Sequence, residues 1–167
     1  MPLLNTRSAN FKWAKVLVIE DNIDHWTLMK RAMLQRLPEI TPVRVDTPDQ
    51  ALVLLNDWCT QEWELPKLIF QDLYLPSRTD GWSLLQQIKA MPAPCNQIPV
   101  IIMSASSFRD DINEAYERGS ASYAVKPINF TEWLTYFDEV RAYWWETVAL
   151  PPVQFSVGLG MSGNERL

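Results

Sequence analysis

The sequence has few residues that bind metals through sulfur or nitrogen, with two cysteines and one histidine among 167 residues. Cys59 and Cys95 have neither the spacing of metal ligands nor a repeating framework, and we interpret them as free thiols in a reducing cytoplasm. We interpret His25 as a surface residue rather than a ligand. A metal site built on cysteine and a disulfide framework are therefore not expected.

Long apolar runs and an excess of positive charge are also missing. No run approaches the length that spans a membrane, and the N-terminus lacks the apolar core of a signal peptide. The net charge is −5 at pH 7, which argues against nonspecific binding to DNA or to an anionic membrane, although it is compatible with a basic patch on one face. We expect a cytoplasmic protein without a nucleic-acid or membrane partner.

What the sequence does have is a regular alternation of strand and helix patterns. Hydrophobic residues make up 47% of the chain, enough for the core of one domain. Five helical patterns alternate with five buried-strand patterns, at 15–19, 41–45, 67–71, 98–103 and 120–125. The alternation predicts an α/β fold with a parallel sheet and helices on both faces. We expect an N-terminal arm at 1–14, a domain at 15–150 and a flexible tail at 151–167.

Polar side chains follow four of the five predicted strands directly. Glu20 and Asp21 follow the first strand, Asp72 the third, Ser104 the fourth and Lys126 the fifth. Right-handed crossovers bring the carboxyl ends of parallel strands to one edge of the sheet, which is where open α/β sheets place their ligands. We therefore expect these five side chains to converge on one rim.

Three carboxylates on one rim repel one another unless a cation lies between them. Hard oxygen ligands suit Mg²⁺, and Asp21 and Asp72 are the best direct ligands. Glu20 has a longer side chain and can act through water. The backbone carbonyl of Tyr74, where the chain turns, can supply a further oxygen. The rim is therefore a candidate magnesium site.

The same rim has the groups that phosphoryl transfer needs, which are an in-line nucleophile and groups that neutralise the equatorial oxygens. Asp72 is the candidate nucleophile and would form an aspartyl phosphate. The Ser104 hydroxyl and the Lys126 ammonium would bind phosphoryl oxygens. No part of this chemistry requires a histidine in this chain.

Five sequence segments around these residues match the pattern of one family. They are Val-Leu-Val-Ile-Glu20-Asp21-Asn, Leu-Ile-Phe-Gln-Asp72-Leu-Tyr-Leu-Pro, Asp80-Gly81, Pro-Val-Ile-Ile-Met-Ser104-Ala and Tyr123-Ala-Val-Lys126-Pro127. With these segments the chain resembles the receiver domain of two-component response regulators over about 15–148. Its ending at 144–151 is similar to that of phytochrome-associated response regulators. No output domain follows, so we expect a single-domain regulator.

The resemblance implies that a histidine kinase or phosphotransfer protein donates a phosphoryl group to Asp72, with Mg²⁺ as cofactor. It implies a flavodoxin-like sheet with strand order 2-1-3-4-5. It also implies a switch in partner binding, in which the Ser104 side moves toward the phosphoryl group while Tyr123 turns inward, and a cis bond between Lys126 and Pro127. Such a protein is a signalling module rather than an enzyme, limited to self-phosphorylation and slow autodephosphorylation.

Two features depart from the family pattern. The family often has one residue fewer between the positions of Asp72 and Gly81. We therefore expect residues 77–79 to form a longer loop beside the site, with the third helix opening at Gly81. Tyr74 is bulky two residues after the nucleophile, and we expect it to shield the acyl phosphate from water and to lengthen its lifetime.

The last predicted helix, at 129–148, is rich in aromatic residues. Most of them fit one core stripe, but Tyr136, Tyr143 and Trp145 fall on other faces of a regular helix. A helix that is apolar nearly all round needs more burial than one sheet face supplies. We therefore predict a homodimer or a partner interface that includes this helix.

Two other functions use similar parts. A phosphatase of the haloacid dehalogenase type also uses Asp and Mg²⁺, but it needs a second Asp two residues after the nucleophile, where this chain has Tyr74. A flavodoxin-like FMN carrier needs a Ser/Thr/Gly-rich phosphate loop after the first strand, where Glu20 and Asp21 would repel the phosphate. We favour the signalling module over both.

Overall fold

The structure is a computed structural model that describes residues 13–150 of the chain. Five strands and five α-helices alternate along it, as the sequence pattern predicts. In chain order they are β1 Lys15–Ile19, α1 Ile23–Arg36, β2 Thr41–Val45, α2 Pro48–Trp58, β3 Leu68–Asp72, α3 Arg78–Lys89, β4 Val100–Ser104, α4 Arg109–Glu117, β5 Ser122–Val125 and α5 Phe130–Val140. A π-helical turn, Arg141–Trp145, continues α5, and 3₁₀ turns cover Glu62–Glu64 and Cys95–Gln97.

The five strands form one parallel sheet in the order β2-β1-β3-β4-β5. This confirms the predicted fold class and strand order. In the register, Ile19 pairs with Gln71, and Asp72 pairs with Met103. Ser104 in turn pairs with the last residue of β5. The carboxyl ends of β1, β3, β4 and β5 therefore lie side by side on one edge of the sheet.

Each face of the sheet is covered by its own hydrophobic cluster, because successive strand residues point to opposite faces. Val18 and Phe70 belong to the cluster beneath α1 and α5. Ile19 and Ile69 belong to the cluster beneath α2, α3 and α4. A slip of one residue would exchange the two faces, so burial on both sides fixes the register. It also fixes where the polar residue at the end of each strand lies.

The helical turn after α5 buries one of the aromatic residues that a regular helix would place away from the core. Trp145 is 1% exposed, although a regular helix would place it on another face. The π-helical turn Arg141–Trp145 changes the helical phase and brings this side chain into the cluster beneath α1 and α5. Tyr136 packs against the same cluster, while Tyr143 is 52% exposed. The protein's own core thus covers two of the three residues that motivated the predicted dimer.

The start of α3 differs from the prediction. The helix begins at Arg78 rather than Gly81, and Ser77 caps it. Ser77 Oγ accepts a hydrogen bond from the Asp80 N–H, while the Asp80 carboxylate accepts one from the Ser77 N–H, so the two form a capping box. Residues 77–79 therefore form the helix start, and the predicted longer loop is wrong. Gly81 is required because a Cβ atom there would collide with the carbonyl oxygen of Leu73.

Cys59 and Cys95 form a disulfide, so the prediction of free thiols is wrong. Cys59 lies at the carboxyl end of α2, and Cys95 lies in the 3₁₀ turn before β4. Their Cα atoms are 5.6 Å apart, within the range of disulfides. The two cysteines are 36 residues apart in the sequence, and this spacing alone does not indicate a disulfide. The pair meets because α2 and the turn pack on the same hydrophobic cluster.

Among residues 13–150, no helix is long and apolar enough to cross a membrane. The predicted tail at 151–167 and most of the predicted arm at 1–14 lie outside the described residues.

Candidate functional site

The side chains that were expected to converge do lie on one edge of the sheet. Carboxylate oxygens of Glu20, Asp21 and Asp72 lie within 4.8 Å of one another. Lys126 Nζ lies 2.6 Å from Glu20 Oε2 and 3.3 Å from Asp72 Oδ2. Ser104 is fully buried at the end of β4, the strand beside β3. The topology therefore brings together residues from four separate parts of the chain.

Hydrogen bonds from two sides hold the loop between β1 and α1. Asn22 caps α1 with its side chain, and its N–H donates to Glu20 Oε1 at 3.0 Å. Arg44 on β2 donates from Nε to the carbonyl of Glu20 at 2.9 Å and from Nη2 to the carbonyl of Asp21 at 3.4 Å. The backbone of the acid pair is thus fixed against β2. The role of Arg44 was not predicted, because the approach of a β2 side chain to this loop has no sequence signature.

Asp72 and Glu20 are the two buried acids of the cluster, with 8% and 2% of their side chains exposed. Burial raises the pKa of the Asp72 carboxyl to about 7, while the Lys126 ammonium opposes the rise and the Glu20 carboxylate adds to it. The backbone N–H of Tyr74 donates to Asp72 Oδ1 at 3.4 Å. A cation bound beside this carboxyl would favour its ionised form.

Lys126 is almost enclosed by acceptors, and 8% of its side chain is exposed. Besides Glu20 and Asp72, its ammonium contacts His25 Nδ1 at 3.1 Å. The His25 side chain is 44% exposed, so it lies at the surface as expected, but its contact with Lys126 was not predicted. The sequence feature that could have indicated this contact is the position of His25 in the first turn of the helix that follows Glu20 and Asp21.

A chain of hydrogen bonds runs from Ser104 into α4. Ser104 Oγ accepts from the Ser106 N–H at 3.0 Å, and Ser106 Oγ donates to Asp111 Oδ2 at 2.7 Å. The Tyr123 hydroxyl donates to the Ser106 carbonyl at 2.7 Å, and burial raises the pKa of this phenol. The two residues predicted to switch, Ser104 and Tyr123, therefore bind the same neighbour in the loop after β4.

Arg78 joins that loop to α3 and was not predicted to do so. Its Nε lies 2.5 Å from Asp111 Oδ1, and its Nη2 lies 2.9 Å from Glu114 Oε2. Asp111 is 3% exposed, so its charge is compensated within the protein by Arg78 and by the Ser106 hydroxyl.

Predictions for two other residues near the site have different outcomes. Tyr74 is 42% exposed, and the binding of a metal by its carbonyl stays a prediction. The predicted cis bond between Lys126 and Pro127 is wrong. Within residues 13–150 the cis bonds precede Pro76 and Pro94. Only the family resemblance favoured cis at Pro127, against a general preference of about 0.5–1 kcal/mol for trans X–Pro bonds.

The donor set of the site fits a hard divalent cation. Glu20, Asp21 and Asp72 can each offer one carboxylate oxygen to a common point, and carboxylate oxygens suit Mg²⁺ and Mn²⁺. Asp21 is exposed, which leaves a path for water ligands. Lys126 already pairs with two of the three acids. A bound cation would therefore contact two carboxylates that also pair with the lysine.

Comparison with known proteins identifies the family to which this chain is similar. Residues 16–138 match the model of the response regulator receiver domain. The chain is 31% identical over 132 residues to the probable methanogenesis regulatory protein FilR2 of Methanothrix harundinacea, covering 77% of this chain and 82% of FilR2. It is 31% identical over 120 residues to response regulator Rcp1 of Synechocystis, covering 65% of this chain and 80% of Rcp1.

Solved structures agree with the sequence comparison. The phosphorylated cyanobacterial phytochrome response regulator RcpA matches with a TM-score of 0.72 and 28% identity, covering 84% of this chain and 99% of RcpA. The Mn²⁺-bound form of Rcp1 matches with a TM-score of 0.69 and 27% identity, covering 83% of this chain and 99% of Rcp1. The receiver match extends over more than half of the chain. The chain therefore belongs to the response regulator receiver domain family and is a regulatory module of two-component signalling.

Proposed function

We propose that Asp72 accepts a phosphoryl group from a phosphohistidine of a histidine kinase or phosphotransfer protein, and that the phosphorylated form changes its binding to a partner. One observation carries the proposal. Asp72 is a buried carboxylate 3.3 Å from the Lys126 ammonium and clusters with Glu20 and Asp21 at a sheet edge. A nucleophile, a fixed positive charge and a candidate cation site therefore occupy one place.

In the transfer, an Asp72 carboxylate oxygen forms a bond to phosphorus while the bond from phosphorus to the donor's histidine nitrogen breaks. The electron pair of the broken bond stays on that nitrogen. Lys126 would bind a phosphoryl oxygen, and the hydroxyl of Ser104 would bind another. The attack requires ionised Asp72, so the Lys126 ammonium would lower the barrier by opposing the effect of burial on the pKa of this carboxyl.

Mg²⁺ would be held by the carboxylates of Asp21 and Asp72 and the carbonyl of Tyr74, with Glu20 bound directly or through water. When bound, the ion neutralises charge on the acids and on the phosphoryl oxygens. The crystal structures of Mn²⁺-bound Rcp1 and phosphorylated RcpA, two proteins similar to this chain, support this part of the proposal.

The response to phosphorylation would pass through the loop after β4. A Ser104 hydroxyl that turns toward a phosphoryl oxygen changes its contact with the Ser106 N–H. Ser106 also binds the Tyr123 hydroxyl and the Asp111 carboxylate, so movement of the loop would release Tyr123 to turn inward. The surface formed by β5 and α4, where Tyr116 is 52% exposed, would change with it.

A homodimer through the last helix stays a prediction, and fewer exposed aromatic residues now support it. Of the aromatic residues that motivated it, Tyr143 is the one that is more than half exposed. Light scattering with and without a phosphoryl analogue tests it, and a monomer in both conditions would exclude it.

Intact-mass spectrometry after incubation with acetyl phosphate and Mg²⁺ tests the function. The wild type is expected to gain one phosphoryl group, and a chelator is expected to suppress the gain. Asp72→Asn is expected to gain none. Asp57→Asn, which changes an exposed acid on α2, is the matched control and should gain one. An unmodified wild type, or a phosphorylated Asp72→Asn, would contradict the proposal.

A further inference from the structure

Lys126 has as many acceptors as its ammonium has donors. A lysine ammonium has three N–H groups and no acceptor. Lys126 Nζ lies 2.6 Å from Glu20 Oε2, 3.1 Å from His25 Nδ1 and 3.3 Å from Asp72 Oδ2. With 8% of the side chain exposed, water has little access to the ammonium. His25 therefore supplies one third of its hydrogen-bonding environment.

His25 differs in kind from the other two acceptors. Glu20 and Asp72 are the carboxylates that a hard cation would also bind, and Asp72 is the residue that phosphorylation would change. An imidazole nitrogen is a poor ligand for Mg²⁺ compared with a carboxylate oxygen. When a cation or a phosphoryl group binds to these carboxylates, His25 remains as a hydrogen-bond acceptor for the Lys126 ammonium.

The position of the imidazole is fixed by the start of α1. The His25 N–H donates to Asn22 Oδ1 at 3.1 Å, so its backbone belongs to the capping structure that also holds Glu20. Nδ1 can accept from an ammonium only when it has no proton, so the contact with Lys126 requires the tautomer with the ring proton on Nε2. Nδ1 also lies 3.8 Å from Glu20 Oε1, within the same cluster.

We infer that His25 is a positioning residue, whose Nδ1 accepts a hydrogen bond from Lys126 and keeps the ammonium beside Asp72 when a cation and a phosphoryl group occupy the site. The inference rests on the proposed function, because Lys126 acts there on a phosphoryl oxygen. His25 itself takes no part in the transfer. It prevents Lys126 from leaving the site when its two carboxylate partners bind other groups.

Three substitutions at His25 separate this role from a general effect on structure. Asn places a side-chain oxygen close to the position of Nδ1, Gln places its polar end near the position of Nε2, and Leu has no acceptor. The residue is in the exposed first turn of α1, where all three can be accommodated. The inference predicts that His25→Asn behaves as wild type and that His25→Gln and His25→Leu share a defect.

The first readout is the rate of phosphorylation by acetyl phosphate with saturating Mg²⁺ at pH 8. His25→Leu and His25→Gln are expected to react about tenfold more slowly, the effect of losing one hydrogen bond to a charged group. The phosphorylation rate of His25→Asn is expected to stay within about twofold of the wild-type rate, a much smaller change than the tenfold loss expected for Leu and Gln. Equal rates for wild type and His25→Leu, or failure of Asn to restore the rate, would overturn the inference.

The second readout does not depend on phosphorylation. Acetic anhydride modifies accessible amines, and peptide mass spectrometry measures the modification of Lys126 relative to Lys30, an exposed lysine on α1. With Mg²⁺, Lys126 of His25→Leu is expected to react several-fold faster than in wild type, and in His25→Asn at the wild-type rate. Equal labelling in all variants would overturn the inference. A wild type that is never phosphorylated would instead contradict the proposed function, and the labelling would still decide the role of His25.

Discussion

Lys126 Nζ lies 2.6 Å from Glu20 Oε2, although the two residues are 106 positions apart in the chain. Both side chains are nearly enclosed, at 8% and 2% exposed. The same ammonium lies 3.3 Å from Asp72 Oδ2, so it neutralises two acids that a divalent cation would also bind. In the resting site, we therefore expect the lysine and a divalent cation to compete for the same two carboxylates.

Lys126→Met tests this competition. Without the ammonium, Glu20 and Asp72 are buried without a positive partner, so the free energy of unfolding of the metal-free protein is expected to fall by about 3 kcal/mol. The affinity for Mg²⁺ is expected to rise several-fold, because no ammonium opposes the ion. Urea denaturation and calorimetric titration measure the two effects. Lys30→Met on the exposed side of α1 is the control, and unchanged Mg²⁺ affinity in Lys126→Met would exclude competition.

Asp72→Asn is expected to stabilise the protein in a pH-dependent way. Burial raises the pKa of this carboxyl from its ordinary 3.8 to about 7, so the folded state holds the proton more tightly than the unfolded state does. The destabilising effect of ionising Asp72 is absent below pH 3.8, grows as the pH rises, and is complete above pH 7. The shift of about three pKa units sets an upper limit of about 4 kcal/mol.

Thermal unfolding from pH 5 to pH 8 without metal measures this effect. The melting temperature of Asp72→Asn should exceed that of wild type by a margin that widens toward pH 8. Mg²⁺ should narrow the margin, because it stabilises ionised Asp72 in the wild type. Asp57→Asn on α2 is the control for loss of an exposed negative charge. A margin independent of pH would contradict the raised pKa.

Tyr74→Ala is expected to shorten the lifetime of the aspartyl phosphate several-fold. Tyr74 follows Asp72 by two residues, and its N–H donates to Asp72 Oδ1, and we expect its bulky ring to limit the approach of water to the acyl phosphate. The decay of the phosphorylated mass after removal of acetyl phosphate measures the rate. Tyr116→Ala removes an exposed tyrosine from α4 and should decay as wild type. An unchanged rate in Tyr74→Ala would exclude shielding.

Arg78→Gln is expected to lower the free energy of unfolding by about 2 kcal/mol, because it leaves the buried Asp111 carboxylate with fewer partners. Arg118→Gln is the matched control. Arg118 also pairs with Glu114 and lies over the Trp82 ring, as Arg78 does, but it has no ion pair with Asp111. Its loss should cost less than about 1 kcal/mol, as for exposed ion pairs. Equal losses in urea denaturation would show that Asp111 does not depend on Arg78.

The residues that were predictable from the sequence are those that end a strand. Glu20, Asp72 and Lys126 each follow an apolar segment directly, and a parallel sheet with right-handed crossovers can place them only on one edge. Contacts in which a side chain extends from one secondary-structure element to another could not be predicted in this way, because topology does not determine them. Arg44 bonding the acid loop and His25 contacting the lysine are two examples.

Helical phase limited the prediction in a second way. A regular period places Trp145 away from the core, but the π-helical turn shifts the residues that follow it and buries this side chain. The start of α3 was misplaced for a related reason. Gly81 was interpreted as the opening of the helix, whereas its absent side chain allows the helix to approach Leu73 closely, and the capping box begins at Ser77.

Identification of the modified residue shows directly whether Asp72 accepts the phosphoryl group. After phosphorylation by acetyl phosphate and Mg²⁺, borohydride reduces an acyl phosphate to an alcohol, which converts a phosphorylated aspartate into homoserine. Peptide mass spectrometry then locates the change. Homoserine is expected at position 72 alone, with Asp21 and Glu20 unmodified. Reduction at either of those residues, or at no residue of a protein that has gained a phosphoryl mass, would contradict phosphorylation of Asp72.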